Sequence, residues 1–395
     1  MYTSYIGNKF LAIYRERNRL PEDYTAKQFF DEVLFPLFFD DEEHLMHVGN
    51  SPFFQKPTKK AVDEHGSKSK AQLFNLRSKI EEGIPSGAIY VGYGAESVEA
   101  TSSGQMTSMS LDLDSDEIYA SWIGQALTIG VSGGLAIHVA EDELLWTIYN
   151  GWRLYRRYLQ QTPKLKDKQI ETWNGQWINH AFSKLFYEAD PFADFGIEPE
   201  NVLGKLAIPT IDWVKIVFAL SRKYPDQVLT AYVYNLSQTN TTLGFINIYL
   251  PKVQRLIRLK EKIYTLSEDG RNDRDFEDMY NTFYNFKNAC MLGTIGLKAL
   301  EPSKLRDFMP KGTAKYAKGN DYRFADIRLK QKKGEPQEAF EERLLKAKNK
   351  YSEDLINFRI YKTWILAMLN NKKELNALAE QVAQALIDFE DQISA

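Results

Sequence analysis

Residues 227–258 constrain this chain more than any other stretch. They run from Gln227 through Tyr232, Tyr234, Phe245, Ile248 and Leu250 to Arg258. Two arms rich in β-branched and aromatic residues flank a polar turn, Ser237 to Thr242, which is a hairpin pattern. Pro251 ends the second arm, and Val253, Leu256, Ile257 and Leu259 then take up helical spacing. Upstream, strand and helix patterns mix; downstream, nearly every periodic segment is helical. The expected class is therefore α+β: an irregular mixed domain over 1–250, then a helical bundle over 251–395. A length of 395 residues exceeds one compact core, in keeping with that division.

Composition narrows the class further. Hydrophobic residues make up 44%, enough for buried cores, which excludes a disordered chain. The one cysteine, Cys290, excludes an intramolecular disulfide and any cysteine-built zinc site. The stretch Met1 to Phe10 lacks the apolar core of a signal peptide, so a cytoplasmic location is expected. Ser121 to Ala140 carries no formal charge, but Gln125, His138 and its glycines read as a helix, a glycine turn and a buried strand, not a membrane span. Charge is uneven. Residues 251–395 hold 27 Lys and Arg against 22 Asp and Glu, a net of +5; residues 1–250, with 23 against 31, net −8. A polyanion would favour the second part or local patches.

Several helices can be placed by periodicity and caps. Thr25 can cap a helix containing Phe29, Phe30, Val33, Leu34, Leu37 and Phe38, with Pro36 kinking or ending it. His44 and His47, beside Asp40 to Glu43, read as a surface acidic stretch. Leu73, Leu76 and Ile80 suggest a helix ending at Gly83. In the acidic cluster Asp112, Asp114, Asp116 and Glu117, the glycine and distal glutamate of a calcium loop do not follow, so Asp114 or Ser115 is expected to cap the next helix. Leu144, Leu145, Ile148, Trp152 and Tyr155 share one face of a helix reaching about Gln160. Further helices are expected over 171–188, around Trp213 to Leu220, over 252–266 and over 275–299. Two more should finish the chain, the last with an apolar stripe through Leu375, Leu378, Val382, Leu386, Phe389 and Ile393.

Polyanion contacts have specific candidates. Residues 49–70 read as a long loop, where Asn50, Gln55, Lys56, Lys59 and Lys60 accompany Phe53 and Phe54. Lysines can follow a phosphate backbone and a phenylalanine can wedge or stack on bases; an ordinary loop anchored by the two rings fits equally. The small polar loop around Ser103 and Gln105 suits close approach to a groove. Arg153, Arg156 and Arg157 lie near a helix C-terminus, where dipole and salt-bridge duty is the plainer role. Between Lys311 and Lys333 there are eight basic and two acidic residues, with Tyr316, Tyr322 and Phe324 interleaved. This run, with Lys311, Lys315, Lys318, Arg323, Arg328, Lys330, Lys332 and Lys333, is the strongest polyanion signal in the chain.

No constellation specifies catalysis. The five histidines form no His-Glu-x-x-His motif, and there is no Walker loop or nucleophile elbow. No Asp or Glu has a lysine two positions on, as a common nuclease pattern requires.

This organisation, a mixed region through Leu250, a hairpin ending at Leu250 and Pro251, then helices to Ala395, resembles the large subunit of type I CRISPR effector (Cascade) complexes. Some members carry zinc-binding cysteine pairs, from which a chain with Cys290 alone departs. The resemblance implies a non-catalytic subunit without cofactor or metal, partnered by guide RNA, target DNA, other effector subunits and a recruited helicase-nuclease, and away from membranes. Its N-terminal domain would read a short duplex motif beside the target while the guide reads sequence by pairing, through the loops at Asn50 to Lys60 and Ser102 to Gln105. Its bundle would follow the displaced strand or heteroduplex through Arg255, Arg258 and Lys311 to Lys333. Two alternatives remain open. One is a restriction-type metal-dependent nuclease, whose carboxylates would be sought at Asp112, Asp114, Glu198 and Asp226. The other is a scaffold subunit that touches no nucleic acid.

Overall fold

The computed structural model of the chain describes residues 2–49, 51–83, 114–235, 241–263, 283–291, 293–296, 299–300 and 331–346, and separate helical positions between 374 and 388. The architecture is α+β. Two compact units divide it: residues 1–224 with 228–248, and residues 225–227 with 249–395.

The first unit begins with α1 (Tyr2–Asn18). Its closest partner is α6 (Ser115–Ala126). Two glycines allow the approach: a Cβ at Gly7 would lie 1.9 Å from the Ala120 carbonyl oxygen, and one at Gly124 would lie 1.9 Å from that of Thr3. Between them comes a short helical run, α2 (Ala26–Phe29), a π turn (Phe30–Leu34) and α3 (Phe35–Phe38). Thr25 caps α2 as its sequence suggests, and Gln28 completes a capping box with it. Pro36 does not end the helix; the wider turn before it takes up the missing N–H and the ring. Asp114 caps α6 by accepting from Glu117 N at 2.7 Å. Asp116 reaches across to accept from Ala26 N at 3.2 Å and Lys27 N at 3.0 Å, so the acidic cluster starts two helices.

Residues 59–70 differ from the expected loop, while the helix expected through Leu73, Leu76 and Ile80 is present. Residues 59–81 form α4 (Lys59–His65) and α5 (Lys68–Glu81), capped by Thr58 and Ser67 and separated by Gly66 at φ 80°. Residues 84–113, with Ser103, Gln105 and Asp112, lie outside the described residues, as does Asn50.

A sheet forms the other layer. Strands β1 (Ile129–Val131) and β2 (Leu135–Val139) are wholly buried and antiparallel, with Gly130 opposite Ala136. Gly133 and Gly134, at φ 91° and 70°, make the turn between them. β5 (Val228–Asn235) pairs antiparallel with β2, Val139 facing Ala231, and β6 (Thr241–Tyr249) follows in the order β1-β2-β5-β6. Thr230 bonds Asn247 and the Tyr232 ring meets Phe245, so β6 runs antiparallel to β5 as the hairpin pattern requires.

α7 (Asp142–Gln161) and α8 (Ile170–Ala181) pack together. Gly151 leaves room for the Trp177 ring, and two indoles bond α7 carbonyls: Trp173 Nε1 to Gly151 O at 3.0 Å and Trp177 Nε1 to Thr147 O at 2.8 Å. All five residues assigned to the inner face of α7 are buried. α8 stops at Ala181, so Phe182, Leu185 and Phe186, expected within this aromatic helix, lie beyond its end. The run of prolines and glycines after it contains a small hairpin, β3 (Glu200–Val202) and β4 (Lys205–Ala207), before α9 (Trp213–Lys223).

A polar seam crosses this core. Gln125 Nε2 donates to Glu171 Oε1 at 2.5 Å, and Tyr234 donates to Gln125 Oε1 at 3.1 Å. His138 Nε2 lies 3.0 Å from the Tyr234 hydroxyl and 3.1 Å from Thr128 Oγ1. Buried polar groups need such partners.

In the second unit, α10 (Leu250–Ile263) begins where Pro251 suggests, at the first turn of a helix. α11 (Phe283–Met291) stops short of the end expected at 299, since Gly293 turns at φ 70° and Thr294–Ile295 is a strand, β7; residues 275–282 lie outside the described residues. Residues 337–346 are helical. In the last helix, Leu378 and Val382 of the expected apolar stripe are exposed.

Candidate nucleic-acid interface

The candidate residues that the structure brings together lie at one corner of the first unit. Its floor is the turn after Ser51. Phe53 is buried and stacks on Phe39 with centroids 4.0 Å apart and planes 3° apart, so it belongs to the core and not to a ligand. The buried Gln72 fixes the turn, donating to Phe53 O at 3.0 Å and Gln55 O at 2.8 Å. The turn therefore hands the next ring, Phe54, to the surface. Phe54 is half-buried, with His47 edge-on at 4.7 Å and His44 at 5.9 Å.

His44 itself is buried, in contrast to the surface position expected for it. Burial, then the charge of Lys168, lowers its pKa to about 4. His47 is lowered too, by burial first and then by Lys168 and Lys166, despite Asp167. Both imidazoles are thus held toward the neutral form beside cations.

Those cations come from a segment that no sequence motif marks. Residues 162–169 join α7 to α8 as a strap. Lys168 N donates to His44 O at 2.8 Å, Ile170 N to Leu45 O at 3.1 Å and Lys166 N to Leu206 O at 2.7 Å, while Leu206 N donates to Lys164 O at 3.0 Å. Leu165 is buried beneath it. Lys164 and Lys166 are exposed, and Lys168 Nζ stands 5.3 Å from the Phe54 ring centroid while pairing with Asp167 at 2.5 Å. A cation over an aromatic face is favourable by about 0.5–1 kcal/mol at exposed sites. The one hint of this segment in the sequence is the alternation Pro163, Lys164, Leu165, Lys166, Asp167, Lys168.

Gln55, Lys56, Lys59 and Lys60 are exposed on the same stretch as Phe54. Among the described residues, no carboxylate lies at ion-pair distance from Lys56, Lys59, Lys60, Lys164 or Lys166.

The three α7 arginines divide. Arg156 is built into the fold: its guanidinium donates to Leu37 O at 2.7 Å and 3.0 Å and to Glu43 O at 2.7 Å, and sits 3.5 Å from Asp41. That tie replaces the open phosphate contact considered for it. Arg157 lies over the Phe192 ring at 4.8 Å, and Arg153 is exposed.

In the second unit, Arg255 and Arg258 are exposed on α10. Lys332 and Lys333 are exposed in a turn that Glu335 closes, accepting from Lys332 N at 2.8 Å and from Arg343 Nε at 2.9 Å. Lys311, Lys315, Lys318, Arg323, Arg328 and Lys330 lie outside the described residues.

Among the described residues, no three His, Cys, Asp or Glu side chains gather as metal ligands, and no helix is long and apolar enough to cross a membrane. No protein-family model, curated protein or solved structure matches the chain.

Proposed function

We propose that this chain is a non-catalytic nucleic-acid-binding subunit of a prokaryotic CRISPR surveillance complex. In this reading its mixed unit contacts duplex DNA flanking the target. A C-terminal helical bundle, carrying Arg255, Arg258 and the Lys311 to Lys333 run, steadies the unwound strand or heteroduplex. Guide RNA, target DNA, the other effector subunits and a recruited helicase-nuclease are its partners, in the cytoplasm. The observation that carries the reading is the Lys164–Lys168 strap, whose Lys168 stands over the surface ring of Phe54, while Lys56, Lys59 and Lys60 are exposed on the stretch that follows that ring, in a unit whose overall charge is acidic. A local positive surface on an acidic body directs a polyanion to one place.

The test is electrophoretic. The purified chain is incubated with duplex and partly unpaired DNA, with and without Mg²⁺ or Mn²⁺. Retarded but intact DNA is expected. Site-specific products would replace this reading with the nuclease, and absence of binding at low salt would favour a scaffold.

A further inference from the structure

The strap between α7 and α8 has features that a plain connector does not need. Lys164 and Lys168 both adopt left-handed backbone, at φ 65° and 62°. Glycine or asparagine takes that conformation with less strain than lysine. Three like charges also follow one another at alternate positions, which costs further electrostatic energy. Both costs persist because the strap is bonded along its length, to Leu206 on one side and to His44 and Leu45 on the other. A backbone held in this way pre-orders the points from which the lysine side chains reach toward a chain of anions. Beside them the Phe54 ring is half open, with His47 against its edge.

We propose that this corner binds a single nucleic-acid strand: Lys164 and Lys166 take neighbouring phosphates, and an unpaired base lies at Phe54 and His47 beside Lys168. The proposal rests on the nucleic-acid reading above and goes further, because it fixes the ligand's form. Alternate residues of an extended segment stand about 6.6 Å apart, close to the spacing of phosphates along a stretched strand. A duplex hides its base faces inside the stack, whereas a single strand offers them to an aromatic ring. Lys56 lies two residues beyond Phe54 and would extend the phosphate path. The charge is complementary, since Lys56, Lys164 and Lys166 have no carboxylate at ion-pair distance among the described residues.

The experiment is fluorescence anisotropy of labelled oligothymidine with the full chain, between about 50 and 300 mM salt. Lys164→Ala/Lys166→Ala should weaken binding roughly tenfold near 100 mM salt and reduce the slope of log affinity against log salt by about 1.4, that is ~0.7 for each phosphate left without its lysine. Phe54→Leu keeps an apolar side chain but removes the stacking face, and Phe54→Tyr restores it. Leucine should weaken oligothymidine, tyrosine should not, and neither should change binding of inorganic polyphosphate. A folded double variant, judged by an unchanged melting curve, with unaltered affinity and slope would overturn the strap as the site while leaving the broader reading intact. Equal loss of polyphosphate and oligothymidine binding in Phe54→Leu would overturn the base contact. A wild-type chain that binds neither single strand nor duplex would remove both.

Discussion

Gln125 of α6 donates a 2.5 Å hydrogen bond to the carboxyl of Glu171 on α8, at a part-buried position on the edge of the core. Burial raises that carboxyl from 4.5 to about 7, even though the Gln125 bond acts to lower it. The unfolded chain ionises Glu171 near 4.5, while the folded chain resists until about 7. Its contribution to stability is therefore full below 4.5, falls as pH rises to about 7, and is flat beyond. Glu171→Gln keeps an acceptor for Gln125 and removes the titration. In urea unfolding, the variant should gain on the wild type across that window by up to about 3 kcal/mol. A difference that does not vary with pH would refute the argument.

His138, farther along the same seam, has the opposite sign. Burial lowers it from 6.5 to about 3, so protonation opposes folding, and its contribution is lost as pH falls from 6.5 toward 3. Between 4.5 and 6.5 the two slopes cancel in the wild type. Glu171→Gln should uncover the histidine as stability that rises by about 1.4 kcal/mol per pH unit through that range.

Arg156 should behave as a structural clamp. Arg156→Ala strands the carbonyls of Leu37 and Glu43, and should cost about 2–4 kcal/mol. Arg153→Ala on the open side should leave the melting temperature within a degree or so. If the Arg156 guanidinium serves only the fold, Arg156→Lys should bind nucleic acid as the wild type does at a temperature where both are folded.

Alanine at Lys330, Lys332 and Lys333 should weaken binding to DNA and lower its salt dependence by about 0.9 for each duplex phosphate no longer neutralised. Identical titrations at low and high salt would take this run out of the interface.

Gly7→Ala and Gly124→Ala should each destabilise by about 3 kcal/mol or more, since the new methyl meets a main-chain carbonyl that a side-chain rotation cannot clear. Thermal melts of the two single variants test this; a shift of only a degree or two in either would show that the helices can part.

Local signals in the sequence carry far where they are self-contained. The Asp114 cap, the Thr25 cap, the inner stripe of α7 and the hairpin after Gln227 depend on neighbours a few residues away, and each is found where its pattern puts it. Features set by distant partners are not legible. Phe53 and Phe54 are identical in sequence, yet Gln72 and Phe39 turn one inward and leave the other outside. Arg156 looks like its neighbours until Leu37 and Glu43 arrive beneath it. Residues 59–70 are a different case: Thr58, Gly66 and Ser67 are good helix punctuation, but their polar, lysine-rich surroundings resemble a loop. The strap lysines give a weak signal because alternation over so few residues is common, and only the buried Leu165 between them gives it direction.

The reciprocal glycines of α1 and α6 also bear on the order in which the chain is made. Gly7 leaves the ribosome before the backbone it must meet, at Ala120, which follows only after all of α2 to α5. Until then the buried face of α1, with Ile6, Phe10 and Leu11, has only part of its cover, such as Phe29 of α2 against Phe10. A nascent chain halted before residue 115 would thus leave much of this greasy helix uncovered, since both α6 and the rings Trp146, Tyr149 and Trp152 of α7 that meet Phe10 come later.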